Sequence, residues 1–360
     1  MRIAQIAPLW ERVPPPAYGG TELVVGLLTE ELVKRGHEVT LFASGDSISK
    51  AKLESVCPQA IRLDPTIKEY AAYEALQLSR VFGSSQEFDI IHSHVGYPAL
   101  MYGNFSATPI VHTLHGIFTK DNEQVFATHR QQPFVSISHA QREPRLGLNY
   151  VATVYNGIDV DQHRFYPQPQ KPEYLAFLGR MSPEKGPHIA IEIAKRVGIP
   201  LKMAGKVDPV DVEYFESQIK PHIDGQHIEF LGEATHTQKN QLLGGAVAML
   251  FPITWREPFG LVMVESMAAG TPVLARPLGS VPEVIRDGQT GFICDRVEDF
   301  VKAIARLSEI DRHACRRHVL ENFSVTSMVD GYEAVYRQLL ERKFAQNGHL
   351  HHSRDRVIAV

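Results

Sequence analysis

The sequence predicts an α/β protein with two open parallel sheets and a ligand cleft between them. Three observations lead there. The chain has 360 residues and is 44% hydrophobic, enough apolar material for about two domains. Short apolar runs alternate with helix-length segments in two successive series. Between the series, Val160 to Glu173 carries Pro167, Pro169 and Pro172, a stiff polar stretch that reads as a linker.

Arg2–Ala7 is an apolar run suited to a buried parallel strand. A loop rich in proline and glycine follows, ending Tyr18-Gly19-Gly20. Thr21 to Arg35 reads as a helix with Leu23, Val24, Leu27 and Leu28 on one face, stopped by Gly36. Glu38–Ala43 is the next strand, which completes a right-handed βαβ unit. Asp89–His92, Pro109–Thr113, Phe134–Ile137 and Val151–Val154 continue the first sheet. Tyr174–Leu178, Pro200–Ala204, His227–Phe230, Val247–Phe251 and Pro272–Ala275 make the second. A last amphipathic helix spans about Val325 to Phe344, and residues 346–360, with His349, His351 and His352, read as a mobile polar tail.

Composition excludes several classes. Net charge is −4 with a pI near 6.5, so no strong field draws nucleic acid or an anionic membrane. Cys57, Cys294 and Cys315 are too sparse for a disulfide framework and lack metal-ligand spacing. The opening MRIAQIAPLW has no signal-peptide core, and no apolar run reaches the ~18 residues of a membrane span. A cytoplasmic protein is expected, and no basic amphipathic helix indicates peripheral membrane contact. Neither a dinucleotide-binding nor a P-loop glycine pattern is present.

Two segments carry the chemistry. Glu257-Pro258-Phe259-Gly260-Leu261-Val262-Met263-Val264-Glu265 precedes Ser266-Met267-Ala268-Ala269-Gly270-Thr271-Pro272-Val273. A helix is expected from Phe259 or Gly260 to Gly270, its free amides suited to phosphate. Gly260 lets a ligand approach the backbone. Glu257 and Glu265 stand eight residues apart, roughly 12 Å if helical, a span that suits two hydroxyl-rich ends of one ligand. In Gly179-Arg180-Met181-Ser182-Pro183-Glu184-Lys185-Gly186, Arg180 and Lys185 are the only cations and follow a strand, placed to grip a diphosphate. Gly19-Gly20 opens a helix, another anion-friendly place. Val111-His112-Thr113-Leu114-His115-Gly116 ends a strand, so a histidine faces the cleft. Trp10, Tyr18 and Phe118 are candidates for an acceptor pocket.

The string from Glu257 to Val273 resembles the donor-binding signature of the retaining glycosyltransferases of family 4, the glycogen-synthase-like group. The resemblance extends over residues 1 to 340, through Gly19-Gly20-Thr21-Glu22, Asn156-Gly157-Ile158-Asp159 and Gly179–Gly186. It implies the GT-B fold: two Rossmann-like domains facing across a cleft, with a C-terminal helix crossing back. Residues 1–163 would bind the acceptor and 164–324 the nucleotide-sugar, with the 325–344 helix on the first domain. The reaction implied moves a hexosyl group from UDP-glucose or a related UDP-sugar to an acceptor hydroxyl, with retention. No cofactor or metal is implied, and Asp159-Val160-Asp161 lies in a string that the family uses without one. Arg180, Lys185, Gly19, Gly20, Phe259, Gly260, Leu261 and Glu265 would hold the donor, and His115, Arg180, Lys185 and Glu257 would act in catalysis. His115 is the histidine favoured at the sugar, with His112 the alternative and, with Tyr18, an acceptor contact. Ser280 stands where the family has a second glycine after Gly279. The competing readings are a nucleotide-sugar 2-epimerase of the same fold and a silent sugar-nucleotide-binding subunit.

Overall fold

The computed structural model describes residues 1–17 and 19–354. Tyr18 and residues 355–360 therefore lie outside the described residues. The apolar runs become strands because both of their faces are covered. Arg2–Ile6 (β1), Glu38–Phe42 (β2), Lys52–Glu54 (β3), Ile90–Ser93 (β4), Ile110–Leu114 (β5), Phe134–Ser136 (β6) and Tyr150–Thr153 (β7) form the first sheet. Its order is β3-β2-β1-β4-β5-β6-β7, all parallel. Leu175–Leu178 (β8), Leu201–Ala204 (β9), Ile228–Phe230 (β10), Ala248–Phe251 (β11), Val273–Ala275 (β12) and Gly291–Ile293 (β13) form the second. That order is β10-β9-β8-β11-β12-β13, again parallel.

Both sheets are doubly wound, so strand order reverses beside the first strand of each. The switch points lie between β1 and β4 and between β8 and β11, where the carboxyl ends of such sheets leave a crevice for ligands. This is the two-Rossmann GT-B architecture.

The chain passes between the halves twice. Ile158 N–H donates to Phe323 O at 2.9 Å, and Val325 N–H donates to Ile158 O at 3.0 Å. The segment read as a linker is packed instead of free. Tyr166 N–H reaches Ala269 O, Gln170 N–H reaches Gly245 O, and the Arg312 guanidinium donates to the carbonyls of Tyr166, Gly244 and Ala246. The passage itself is at 154–158, several residues before the prolines.

The C-terminal helix, Val325–Arg354, runs past the expected end at 344 and takes in the first part of the segment read as a tail. It returns to the first half, where Val329, Tyr332, Val335 and Tyr336 enter the core beside Val24, Leu28 and Leu32. Arg35 and His37 tie it down through Asp330 (2.7 Å) and Glu333 (2.8 Å from His37). No helix among the described residues is long and apolar enough to cross a membrane.

The two passages leave no room between them. A Cβ on Gly157 would lie 2.4 Å from Ser324 O and 3.0 Å from Met328 Cβ. Backbone cannot move aside as a side chain can. Gly157→Ala is therefore expected to cost about 1–3 kcal/mol, the usual penalty of overpacking, read as a lower midpoint in urea unfolding with unchanged slope.

Candidate functional site

Loops at the carboxyl ends of β1, β5, β8, β9 and β11 wall one cavity of about 360 Å³ between the halves. Gly19, Gly20, Thr21 and Leu23 come from the first loop and His115 from the second. Arg180, Lys185, Lys206 and the segment from Trp255 to Glu265 complete the wall from the other half. The structure thus brings together ten residues singled out from sequence: Gly19, Gly20, His115, Arg180, Lys185, Glu257, Phe259, Gly260, Leu261 and Glu265.

Two glycines let helix starts reach this cavity. Gly19 precedes the Gly20–Lys34 helix with φ 135°, and a Cβ there would meet the Pro15 ring at 2.9 Å. Gly260 precedes the Leu261–Ala268 helix with φ 76°. Both conformations are ones that L side chains rarely adopt. Glu22, one residue into the motif beyond Thr21, is buried under Gly19, and burial pushes its carboxyl up to about 7.

The helix begins four residues after Glu257, so helical rise does not set the separation of the two glutamates. A loop does. Gly279 packs on the Glu257 backbone so closely that a Cβ would lie 2.2 Å from Glu257 O. Ser280 N–H donates to Glu257 O at 2.9 Å, and its hydroxyl to Phe259 O at 2.7 Å. The serine in place of a second glycine is a staple for this loop.

Every cation expected at a diphosphate already has an anionic neighbour. Lys185 Nζ lies 2.5 Å from Glu257 Oε2 and 4.7 Å from the centre of the Trp255 ring. Trp255 Nε1–H donates to the same carboxylate oxygen at 3.0 Å. Arg180 is 2.5 Å from Glu184 and 3.6 Å from Asp208. Lys206 pairs with Asp208 at 2.5 Å. In the middle of the Leu261–Ala268 helix, Glu265 is 5% exposed and accepts from Lys239 Nζ at 3.3 Å. Burial alone would push Glu265 up, but Lys239 and His163 outweigh it and hold the carboxyl below its ordinary value.

His112 does not reach the cavity. Its ring is 1% exposed, its Nε2 is 2.7 Å from Gln132 Oε1, and burial takes it down to about 4. Its neighbour in the strand order, Phe134, lies against it. Strand alternation explains the difference: His112 is inside β5, whereas His115 follows the strand's last residue. Tyr18 lies outside the described residues. Trp10 packs edge-on to Tyr70 and lines neither cavity. Phe118 lines a second cavity of about 250 Å³ with Ile117, Arg142 and Arg256, which shares Trp255, Glu257 and Pro258 with the first.

Sequence reasoning missed Lys206, Lys239, Glu233 and Trp255, all on the main cavity. Trp255 stands two residues before Glu257, so proximity to the motif was a usable signal. Lys206 follows the end of β9, and the same strand-end argument that found Arg180 applies to it. Lys239 sits inside a helix, His236–Gly245, with nothing nearby to mark it.

Comparison with known proteins agrees with this geometry. Residues 18–162 match the family described as "Glycosyltransferase Family 4", and residues 159–321 match "Glycosyl transferases group 1". The chain is 26% identical to a glycogen synthase of Mycobacterium tuberculosis over 82% of each chain. It is 27% identical to an N-acetyl-alpha-D-glucosaminyl L-malate synthase of Bacillus anthracis, over 90% of this chain and 95% of that one. Among solved structures, Anabaena Alr3699/HepE in complex with UDP and glucose superposes with a TM-score of 0.72 at 18% identity, covering 94% of this chain and all (100%) of that one.

The Glu265–Lys239 pair generates a pH-dependent expectation. Because the folded carboxyl sits below its ordinary value, the pair's stabilisation is full above the unfolded value near 4.5 and fades as pH falls through the folded one. Lys239→Met leaves a buried carboxylate alone, at a cost of about 3 kcal/mol near pH 7. Thermal unfolding of both proteins should show a gap that is widest at about pH 7–8, where the variant's unpaired carboxylate is charged, and that closes as pH falls through 4.5 and below. A gap that is constant with pH would rule out this electrostatic account.

Proposed function

We propose, for a chain that belongs to the family 4 glycosyltransferases of the GT-B fold, that the main cavity binds a nucleotide-sugar. In this reading a hexosyl group passes from UDP-glucose or a related UDP-sugar to an acceptor hydroxyl, with retention and without a metal. One observation carries it. Arg180, Lys185, Lys206 and the amino end of the Leu261–Ala268 helix converge on a cavity that has a buried glutamate at each end of the same segment. The solved neighbour that holds UDP and glucose supports the choice of donor.

A diphosphate entering this cavity meets cations that carboxylates now neutralise. It exchanges partners with them instead of finding bare charges, so the cations need no large reorganisation. When Lys185 turns to the phosphates, Glu257 is released to accept from sugar hydroxyls, with Trp255 Nε1–H still holding its other contact. Glu265, kept ionised by Lys239, accepts from the ribose hydroxyls. Helix amides beyond Gly260 face the developing charge.

In the reaction the bond from the anomeric carbon to the diphosphate oxygen breaks through an oxocarbenium-like state. The acceptor oxygen bonds to that carbon on the face the diphosphate leaves. Its proton passes to a departing phosphate oxygen, so no side chain is needed as a nucleophile. The second cavity adjoins the first at Glu257 and Trp255, the sugar end in this assignment, and is the natural approach for the acceptor.

A thermal-shift panel of nucleotide-sugars, with and without EDTA, checks the reading. A donor at 100 times its Kd adds about 2.7 kcal/mol of stability, and this gain should persist in EDTA and vanish in Arg180→Ala. Transfer by Arg180→Ala or Lys185→Ala should fall on the order of 10²-fold. No stabilisation by any donor would overturn the assignment of the site.

A further inference from the structure

Behind His115 runs a buried line of hydrogen bonds that reaches the C-terminal helix. His115 Nε2 lies 2.9 Å from His94 Nδ1, and His94 Nε2 lies 2.9 Å from Gln5 Oε1. Gln5 Nε2 donates to Tyr336 Oη at 3.1 Å. Tyr336 Oη is 2.7 Å from His92 Nδ1, and His92 Nε2 is 2.7 Å from Thr113 Oγ1. The Thr113 hydroxyl donates to Tyr332 Oη at 3.2 Å. Gln5, His92, Thr113, Tyr332 and Tyr336 show no exposed surface, and His94 is 3% exposed.

An imidazole with one proton must donate from one nitrogen and accept at the other. Gln5 is the member whose two ends differ in kind, so its amide sets the direction of the whole line. Its oxygen accepts, hence His94 carries its proton on Nε2 and accepts on Nδ1. His115 must then donate from Nε2. On the other side Tyr336 accepts from Gln5 and turns its own proton to His92 Nδ1. His92 donates from Nε2 to Thr113, and Thr113 to Tyr332. No donor faces a donor anywhere. Burial keeps the rings neutral, driving His92 and His94 well below the ordinary histidine value and His115 down to about 4.

We infer that this line sets the tautomer of His115. Gln5, acting through His94, holds it as the neutral Nε2–H form and leaves Nδ1, which has no partner among the described residues, as an acceptor for a ligand in the cavity. His94, Gln5, Tyr336, His92 and Thr113 are positioning residues. That His115 meets a sugar hydroxyl there rests on the proposed function; the tautomer does not.

The line also predicts its own reversal. Thr113→Val removes the acceptor at the far end and nearly preserves shape. His92 Nε2 is then without a partner in either tautomer, and a bare acceptor there is less costly than a buried unpaired N–H, so His92 donates from Nδ1 to Tyr336. Tyr336 must donate to Gln5, whose amide turns over. His94 donates from Nδ1, and His115 accepts on Nε2 and carries its proton on Nδ1.

Long-range ¹H–¹⁵N spectra of the full chain labelled with ¹⁵N-histidine at pH 7 test this without any substrate. The His115 signals are identified by their loss in His115→Gln. The expected results are an Nε2–H tautomer in the wild type and an Nδ1–H tautomer in Thr113→Val. In transfer assays Thr113→Val should lose on the order of tenfold or more in kcat with the donor KM unchanged. A wild-type His115 that is charged or carries its proton on Nδ1 overturns the proposal even if the variant fails to fold. So does a folded Thr113→Val that keeps the Nε2–H form. Absence of transfer in the wild type would count against the proposed function and leave the tautomer result standing.

Discussion

Two backbone passages lying side by side govern most of what this molecule does. Ile158 and Ser324 form an isolated parallel bridge where the chain leaves the first half and where it comes back. Gly157 is needed there because the returning carbonyl of Ser324 occupies the space of a side chain. The return has a consequence for the interior of the first half. Its core is incomplete without Tyr332 and Tyr336, which belong to the last helix. Those same tyrosines close the polar line beneath His115. The paired passages, the first core and one wall of the cavity therefore form a single structural unit, although His92 and Tyr336, which meet in it, lie 244 positions apart in the chain.

The cavity shows a second constraint, which is electrostatic. Burying cations without counter-charges is costly, and burying them with permanent partners would disable them. The structure uses carboxylates that are themselves suited to hydroxyl groups. Lys185 with Glu257 and Lys239 with Glu265 are each one cation and one acceptor on the same wall. A ligand carrying both phosphates and hydroxyls satisfies the two members at once. In the proposed reading, one carrying phosphate alone would leave a buried carboxylate short of partners, which would favour a sugar-bearing nucleotide over free anions.

Much of this was legible in the sequence because the signals were local. Strand runs such as Leu175–Leu178 are apolar and bounded by loops, and the donor segment compresses a loop, a helix and a strand into one string. The two strands that escaped are three-residue edges. Lys52-Leu53-Glu54 has one apolar residue, and Gly291-Phe292-Ile293 starts in glycine-rich turns. Edge strands pair on one side only, so their sequences carry less of the buried pattern. The sequence favours His115 over His112 by resemblance alone, because both are histidines near a strand end. Only the register of β5, which ends at Leu114, separates them. Lys239 was invisible because it reaches Glu265 from another helix, across 26 residues. The histidine line could not be read either, since Gln5, His92 and Tyr336 come from three distant segments that only the fold brings together.

The loop that holds Glu257 is also joined to the contact between the halves. Gly279 and Ser280 pin the backbone from Glu257 to Phe259. Three residues later, Glu283 accepts from the backbone N–H groups of His139 at 2.8 Å and Ala140 at 2.7 Å, and from the Tyr155 hydroxyl at 3.0 Å. Arg256, next to Glu257, donates to Ala140 O at 3.0 Å. Residues 139 and 140 follow β6 in the first half, whereas Glu283 and Arg256 belong to the second. Any opening of the cleft at this point must break charge-assisted bonds that end on Arg256, next to Glu257, and on Glu283, just beyond the residues that pin the Glu257 loop. In the proposed reading, the glutamate assigned to the sugar lies beside a contact between the halves, so donor geometry and closure would be coupled through near neighbours instead of a long path.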